Sequence, residues 1–118
     1  MQYVSTRGAA PVLSFEDAMI SGLARDGGLY VPDQVPVLSV VELKALRGKP
    51  FADVAFAVAS RFADGAIPEK ELRRMVDEAY ATFAHKAVTP LKQLDANHFL
   101  LELFHGPTIA FKDVAMQL

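Results

Sequence analysis

Cysteine is absent from the 118 residues, and with it go disulfides, thiolate metal sites and cysteine nucleophiles. A chain built without disulfides suits the cytosol. No uninterrupted apolar stretch approaches the ~18 residues that a membrane-spanning helix needs. The amino end, Met1-Gln2-Tyr3-Val4-Ser5-Thr6-Arg7, lacks a charged region followed by an apolar one, so it does not read as a secretion signal. Neither sign of charge dominates: 12 Lys and Arg face 14 Asp and Glu, a formal net charge of -2 spread along the chain. There is thus no basic footprint for nucleic acid and no polybasic patch for a membrane surface. His85, His98 and His105 do not fall at metal-ligand spacing, and no cysteine or close aspartate pair joins them, so no metal site is expected. No Ser/His/Asp arrangement stands at an interpretable spacing. These exclusions leave a soluble, cytoplasmic protein as the expectation.

What is present is apolar. Hydrophobic residues make up 52% of the chain, against the ~45–50% usual for a comparable set. The length leaves room for one ordinary domain. The apolar excess fits a chain that carries a buried strand and a helix start belonging to a larger core.

Along the chain, Tyr3-Val4-Ser5 reads as a short strand ended by Arg7-Gly8. Ser14 reads as an N-cap with Asp17 at the third helical position, a carboxylate variant of the capping box. Phe15, Ala18, Met19, Gly22 and Leu23 share one face of that helix, which should stop near Asp26-Gly27-Gly28. This glycine pair follows a helix rather than leading into one, so it reads as a turn and not as a phosphate cradle. Leu29-Tyr30-Val31-Pro32 is a short extended segment, and Pro32 and Pro36 frame a loop. Ser39 with Glu42 forms a capping box for a short helix that Gly48 closes.

Pro50 suits the first turn of the next helix. There Val54, Ala55, Val58 and Phe62 recur at helical spacing, and the other faces are apolar enough to predict burial on most sides. Pro68 should open the longest helix, whose stripe of Leu72, Met75, Val76, Ala79, Tyr80 and Phe83 reads as core. Its charged face reads as solvated, with a Glu69 to Arg73 pair adding ~0.3 kcal/mol. Thr89-Pro90-Leu91 changes the register, and Asp95-Ala96-Asn97 is a turn.

The final stretch carries the chemistry. Phe99 to Phe104 reads as a buried strand containing one acid, His105-Gly106-Pro107-Thr108 as a turn, and Ala110 onward as the start of a helix. Lys112 falls just inside that helix, where unpaired N–H groups and the helix dipole disfavour its ammonium form, as do the apolar neighbours Ile109, Ala110 and Phe111. A lysine that loses its proton easily attacks carbonyls and forms Schiff bases. His105 reads either as a locally hydrogen-bonded histidine or as lining a site beside Lys112. Thr108 reads either as a cap of the new helix or as a contact to a bound molecule. Asp113 reads as complementing the helix dipole. Arg7 reads either as a surface residue or as a fork for a phosphate.

The segment Leu101-Glu102-Leu103-Phe104-His105-Gly106-Pro107-Thr108-Ile109-Ala110-Phe111-Lys112-Asp113 closely resembles the lysine motif of the threonine synthases, pyridoxal-phosphate (PLP) enzymes of the tryptophan-synthase-β-like group. Tyr3-Val4-Ser5-Thr6-Arg7-Gly8, Ser14-Phe15-Glu16 and Gly22-Leu23-Ala24-Arg25-Asp26-Gly27-Gly28-Leu29-Tyr30-Val31-Pro32 look like that family's N-terminal domain. The threonine deaminases share only the shorter Pro-Thr-x-x-x-Lys core.

The resemblance implies an α+β chain: a mostly helical N-terminal module over 1–84, then at 85–118 the truncated strand-loop-helix start of an α/β, PLP-dependent fold type II domain. It implies Lys112 as the catalytic residue and PLP anchor, with His105, Thr108 and Arg7 as possible lining of the active site. The cofactor's phosphate cradle and the partner of its ring nitrogen would come from later in the longer family members. The implied activity is a lyase reaction of threonine biosynthesis, turning O-phospho-L-homoserine and water into L-threonine and phosphate. The 118 residues alone are expected to hold a folded helical module at 1–83, a poorly supported or partner-swapped tail and no turnover. A self-contained helical interaction module and a threonine deaminase are the alternatives.

Overall fold

The computed structural model describes residues 1–118 and shows an α+β chain of five helices and two small antiparallel sheets. By contacts it divides into two compact units, Met1–Ala45 with Ala57–Glu69, and Leu46–Phe56 with Lys70–Leu118. No helix is long and apolar enough to cross a membrane.

In the first unit, β1 (Tyr3–Ser5) pairs antiparallel with β2 (Tyr30–Pro32), placing Tyr3 opposite Pro32 and Ser5 opposite Tyr30. Pro32 has no N–H to donate and takes the end of its strand, where a proline is tolerated. Helix α1 (Phe15–Ser21) is capped as its sequence predicts: the Asp17 N–H donates to Ser14 Oγ at 3.1 Å, and the Ser14 hydroxyl donates to Asp17 Oδ2 at 2.9 Å. The helix ends earlier than expected, at Gly22 (φ +68°), because that residue adopts a backbone open mainly to glycine. The chain then bridges Leu23 to Leu29 around a tight turn, with the Ala24 N–H donating to Gly28 O at 3.0 Å. Tyr3 is buried: its ring meets Phe15 edge-on at 5.8 Å and its hydroxyl donates to Phe62 O at 2.8 Å.

The capping box of α2 (Val40–Ala45) closes in both directions, with the Ser39 N–H donating to Glu42 Oε2 at 2.7 Å and the Glu42 N–H to Ser39 Oγ at 3.3 Å. Arg61 Nη2 adds an ion pair to Glu42 at 2.5 Å. The hydrogen bonds from Ser39, followed by that from Arg61, hold the Glu42 carboxyl down to about 2.

Helix α3 (Phe51–Ala63) is half-buried along most of its length rather than enclosed, with Ala63 as its one fully buried residue. Helix α4 (Glu69–Ala81) equals it at 13 residues, so neither is the longest. The predicted stripe is the core of the second unit: Leu72, Val76, Ala79 and Phe83 are buried, Val76 completely. Tyr80 stands between Phe51 (4.8 Å, edge-on) and Phe83 (5.7 Å), and its hydroxyl donates to Val114 O at 3.0 Å. Arg73 does not pair with Glu69. It bonds Asp77 at 2.9 Å and Asp53 at 2.7 Å and lies over the Phe56 ring, and this set of two carboxylates and an aromatic face outweighs a single i,i+4 partner.

The structure corrects the expected Phe99–Phe104 strand. Strand β4 covers only Phe99–Leu101 and pairs antiparallel with β3 (Leu91–Gln93), which the sequence reading left without a strand. The Asp95 carboxylate accepts from the Asn97 and His98 N–H groups, both at 3.0 Å, and folds the chain straight back, so the local partner is antiparallel. No layer covers this two-stranded ribbon, and Phe99, Leu100, Leu101 and Phe104 are about half exposed instead of buried.

Candidate active site

Beyond β4 the chain leaves the ribbon and is held by main-chain bonds, Glu102 N–H to Pro90 O at 3.0 Å and Ala84 N–H to His105 O at 2.9 Å. His105 is half-buried. Its Nε2 lies 2.8 Å from Glu102 Oε2, and its ring stacks obliquely between Phe104 (4.6 Å) and His85 (5.1 Å). Sequence reading missed the Glu102–His105 pair, although an acid inside an apolar run three residues before a histidine is a readable signal.

Helix α5 is a single turn, Asp113–Met116, and Lys112 is its N-cap rather than an interior residue. Thr108 does not cap it. The Thr108 N–H and hydroxyl donate to Asp113 Oδ2 and Oδ1 at 2.8 and 2.7 Å, and Gln117 Nε2 adds a third bond at 3.1 Å. Asp113 is therefore not a solvated partner of the helix dipole: it is only 3% exposed, and the bonds from Thr108 hold its carboxyl below the usual range. Gly106 rests directly against it, with no space for a Cβ. Between Thr108 and Asp113, Ile109 has φ +63°, a left-handed backbone that is a real outlier for a β-branched residue and costs ~1–3 kcal/mol.

Lys112 itself is exposed, as are Ile109, Ala110 and Phe111, so the apolar enclosure expected from these neighbours is not formed by them. Lys112, Thr108 and His105 stand on one continuous loop. Arg7 belongs to the other unit, on the Ser5–Gly8 turn, where Nη1 donates to Asp26 O at 3.0 Å. Asp26 organises that turn: both carboxylate oxygens accept from Ser5 Oγ at 2.8 Å, and the Ala9 and Gly28 N–H groups add bonds at 2.9 Å. Neither Asp26 nor Asp113 stood out from sequence spacing, since each acts across a loop and not along one helix. No group of three or more His, Cys, Asp or Glu side chains could hold a metal.

The sequence profile described as the threonine synthase N terminus matches residues 2–80, well over half of the chain. The chain belongs to the threonine synthase family. It is 50% identical to a threonine synthase of Pseudomonas aeruginosa over 118 residues, covering 100% of this chain and 25% of that relative. A threonine synthase of Schizosaccharomyces pombe is 47% identical, with 99% of this chain and 23% of the relative covered. Among solved structures, a PLP-bound threonine synthase from Brucella melitensis superposes with TM-score 0.94 at 61% identity, over 98% of this chain and 25% of that one. The yeast threonine synthase superposes with TM-score 0.85 at 42% identity, over 96% and 24%. The chain thus spans about a quarter of the length of these family members.

Proposed function

We propose that this chain is the N-terminal part of a cytoplasmic, PLP-dependent threonine synthase, with residues 1–84 as its N-terminal domain and 85–118 as the start of its catalytic domain. The whole protein would be a carbon–oxygen lyase that converts O-phospho-L-homoserine and water to L-threonine and phosphate. The observation that carries this reading is a lysine at the end of a loop whose backbone is fixed while its side chain is unengaged: Lys112 is exposed beside a buried, fully bonded Asp113.

The residues present fit the cofactor's anchoring end. A primary amine is the group with which its aldehyde condenses, and the adjacent Asp113 carboxylate is turned inward onto Thr108 rather than paired with the lysine. When bound, PLP supplies an electron sink for negative charge developed on the substrate's carbons. Lys112 would hold the cofactor through Nζ and, when freed from that role, would take and return protons at the same atom. His105, fixed by Glu102, and Thr108 would shape the entry to it. Arg7 retains guanidinium donors beyond the one bonded to Asp26 and would suit the substrate's phosphate. Exposure of Lys112 on these 118 residues supports the further reading that turnover belongs to the longer protein, where water can be excluded.

The test is an absorbance spectrum of the full-length protein with PLP, before and after borohydride, followed by peptide mapping, with Lys112→Ala in parallel. We expect a visible band in the parent, a pyridoxyl group fixed to the Lys112 peptide, and neither in the variant. Phosphate release from O-phospho-L-homoserine should fall by roughly 10²–10⁴-fold, the range for a lost acid–base group. A folded full-length parent that stays colourless, or a variant labelled as well as the parent, would refute the assignment.

A further inference from the structure

The side chain next to Lys112 takes no part in the chemistry proposed above, yet it is among the best-satisfied polar groups of the chain. Asp113 accepts three side-chain or loop hydrogen bonds, two of them from one residue, Thr108, five positions back. Its own N–H donates to Ala110 O at 3.0 Å. The segment 108–113 is thereby closed into a ring that includes Lys112. On the far side, Lys112 O accepts from the Ala115 and Met116 N–H groups at 3.0 and 2.9 Å, so the lysine's main chain is held from both directions. The ring leaves no room for a side chain at position 106 and contains Ile109 in its left-handed conformation. Such a backbone persists only where its surroundings over-determine it.

Two simpler roles for Asp113 do not fit. As a charge partner for the lysine it would face Lys112 Nζ, but both oxygens point at Thr108. As a dipole complement it would serve a helix of four residues, for which a buried carboxylate is far more than the dipole requires.

We infer that Asp113 is a positioning residue for Lys112: by clamping Thr108 it sets the loop that aims the lysine's amine. The inference rests on the reading of Lys112 as the PLP anchor. The clamp needs a carboxylate, because both Thr108 groups donate and an amide would present one of them with N–H₂ instead of oxygen.

The experiment uses the full-length protein with Asp113→Asn, Thr108→Val, Thr108→Ser and Lys112→Ala. In the apoprotein, hydrogen exchange is followed on the peptide spanning 104–113. With PLP added, the rate of borohydride-trappable labelling at Lys112 is measured, then kcat and KM for phosphate release. We expect faster exchange in Asp113→Asn and Thr108→Val, with labelling and kcat lowered about ten- to a hundredfold, the scale of a misplaced reacting group, and KM within about twofold. Thr108→Ser keeps the hydroxyl that bonds Asp113, so exchange on this peptide in the apoprotein should match the parent's.

If Asp113→Asn fails to fold, the two threonine variants decide. Faster apoprotein exchange in Thr108→Val that Thr108→Ser lacks supports the clamp, and equal exchange in the pair overturns it. Faster exchange with parental labelling and kcat also overturns it. Undiminished labelling in Lys112→Ala instead sinks the underlying assignment, so the two failures are told apart.

Discussion

Removing one oxygen from Tyr80 tests how the helical stripe reaches the lysine-bearing loop. The Tyr80 hydroxyl is the donor to Val114 O at 3.0 Å, while the ring is held separately by Phe51 and Phe83. Tyr80→Phe therefore deletes the bond and keeps the aromatic packing. A neutral hydrogen bond of this kind is worth about 1 kcal/mol net, roughly a fivefold change in an opening equilibrium. Tyr80→Ala also loses the half-buried ring and its packing on Phe51 and Phe83, and should cost clearly more than the hydrogen bond alone. The assay is amide hydrogen exchange at Met116 and Gln117, whose N–H groups donate to Lys112 O and Asp113 O, with Leu43 in α2 as the internal control. We expect about fivefold faster exchange at the two α5 amides in Tyr80→Phe, no change at Leu43, and a much larger loss in Tyr80→Ala. Burial raises the Tyr80 pKa above 10.0, so the folded state keeps its proton longer than the unfolded chain. Stability from this residue is thus lost as pH rises beyond about 10, and Tyr80→Phe should soften that alkaline decline. Unchanged α5 exchange in Tyr80→Phe, or equal damage from Phe and Ala, would refute the reasoning.

Three further outcomes follow from the packing and the electrostatics. Val76→Ala removes two buried methyl groups from the only large side chain that is completely enclosed, and should lower stability by about 2–3 kcal/mol in a urea titration of the full-length protein. The Glu42 carboxyl sits at about 2 against an ordinary 4.5, so its contribution is complete above pH 4.5 and drains as pH falls toward 2; Glu42→Gln should flatten the urea midpoint across that window. Asp26→Asn keeps one acceptor but sets an amide N–H₂ against a main-chain donor of the Arg7 turn, so trypsin should cut after Arg7 faster in the variant than in the parent.

Much of the secondary structure was written locally. Ser14 with Asp17 and Ser39 with Glu42 each satisfy helix N-termini within four residues, and the Leu72–Phe83 stripe needs only helical spacing to define a buried face. The lysine loop was legible for a different reason: its motif is long enough to be matched residue by residue, from Leu101 to Asp113. Sequence and structure diverge where an end or a partner is chosen at a distance. Gly22 stops α1 before the Gly27-Gly28 pair, since its positive φ diverts the chain into the Leu23–Leu29 bridge. Arg73 prefers Asp53 and Phe56, residues whose proximity no helical period reveals.

By itself, then, the sequence determined where α1 to α4 begin, which face of α4 is core, and that Lys112 follows a turn in a recognisable motif. Those features depend on neighbours within about one or two turns of chain. Only the tertiary structure decided that β4 pairs antiparallel and lies exposed, that His105 leans on Glu102, and that Asp113 faces inward onto Thr108. A carboxylate next to a lysine carries no mark in sequence of which way it turns. That direction is set by where two N–H and O–H donors converge out of water, and convergence of this kind exists only once the loop has closed.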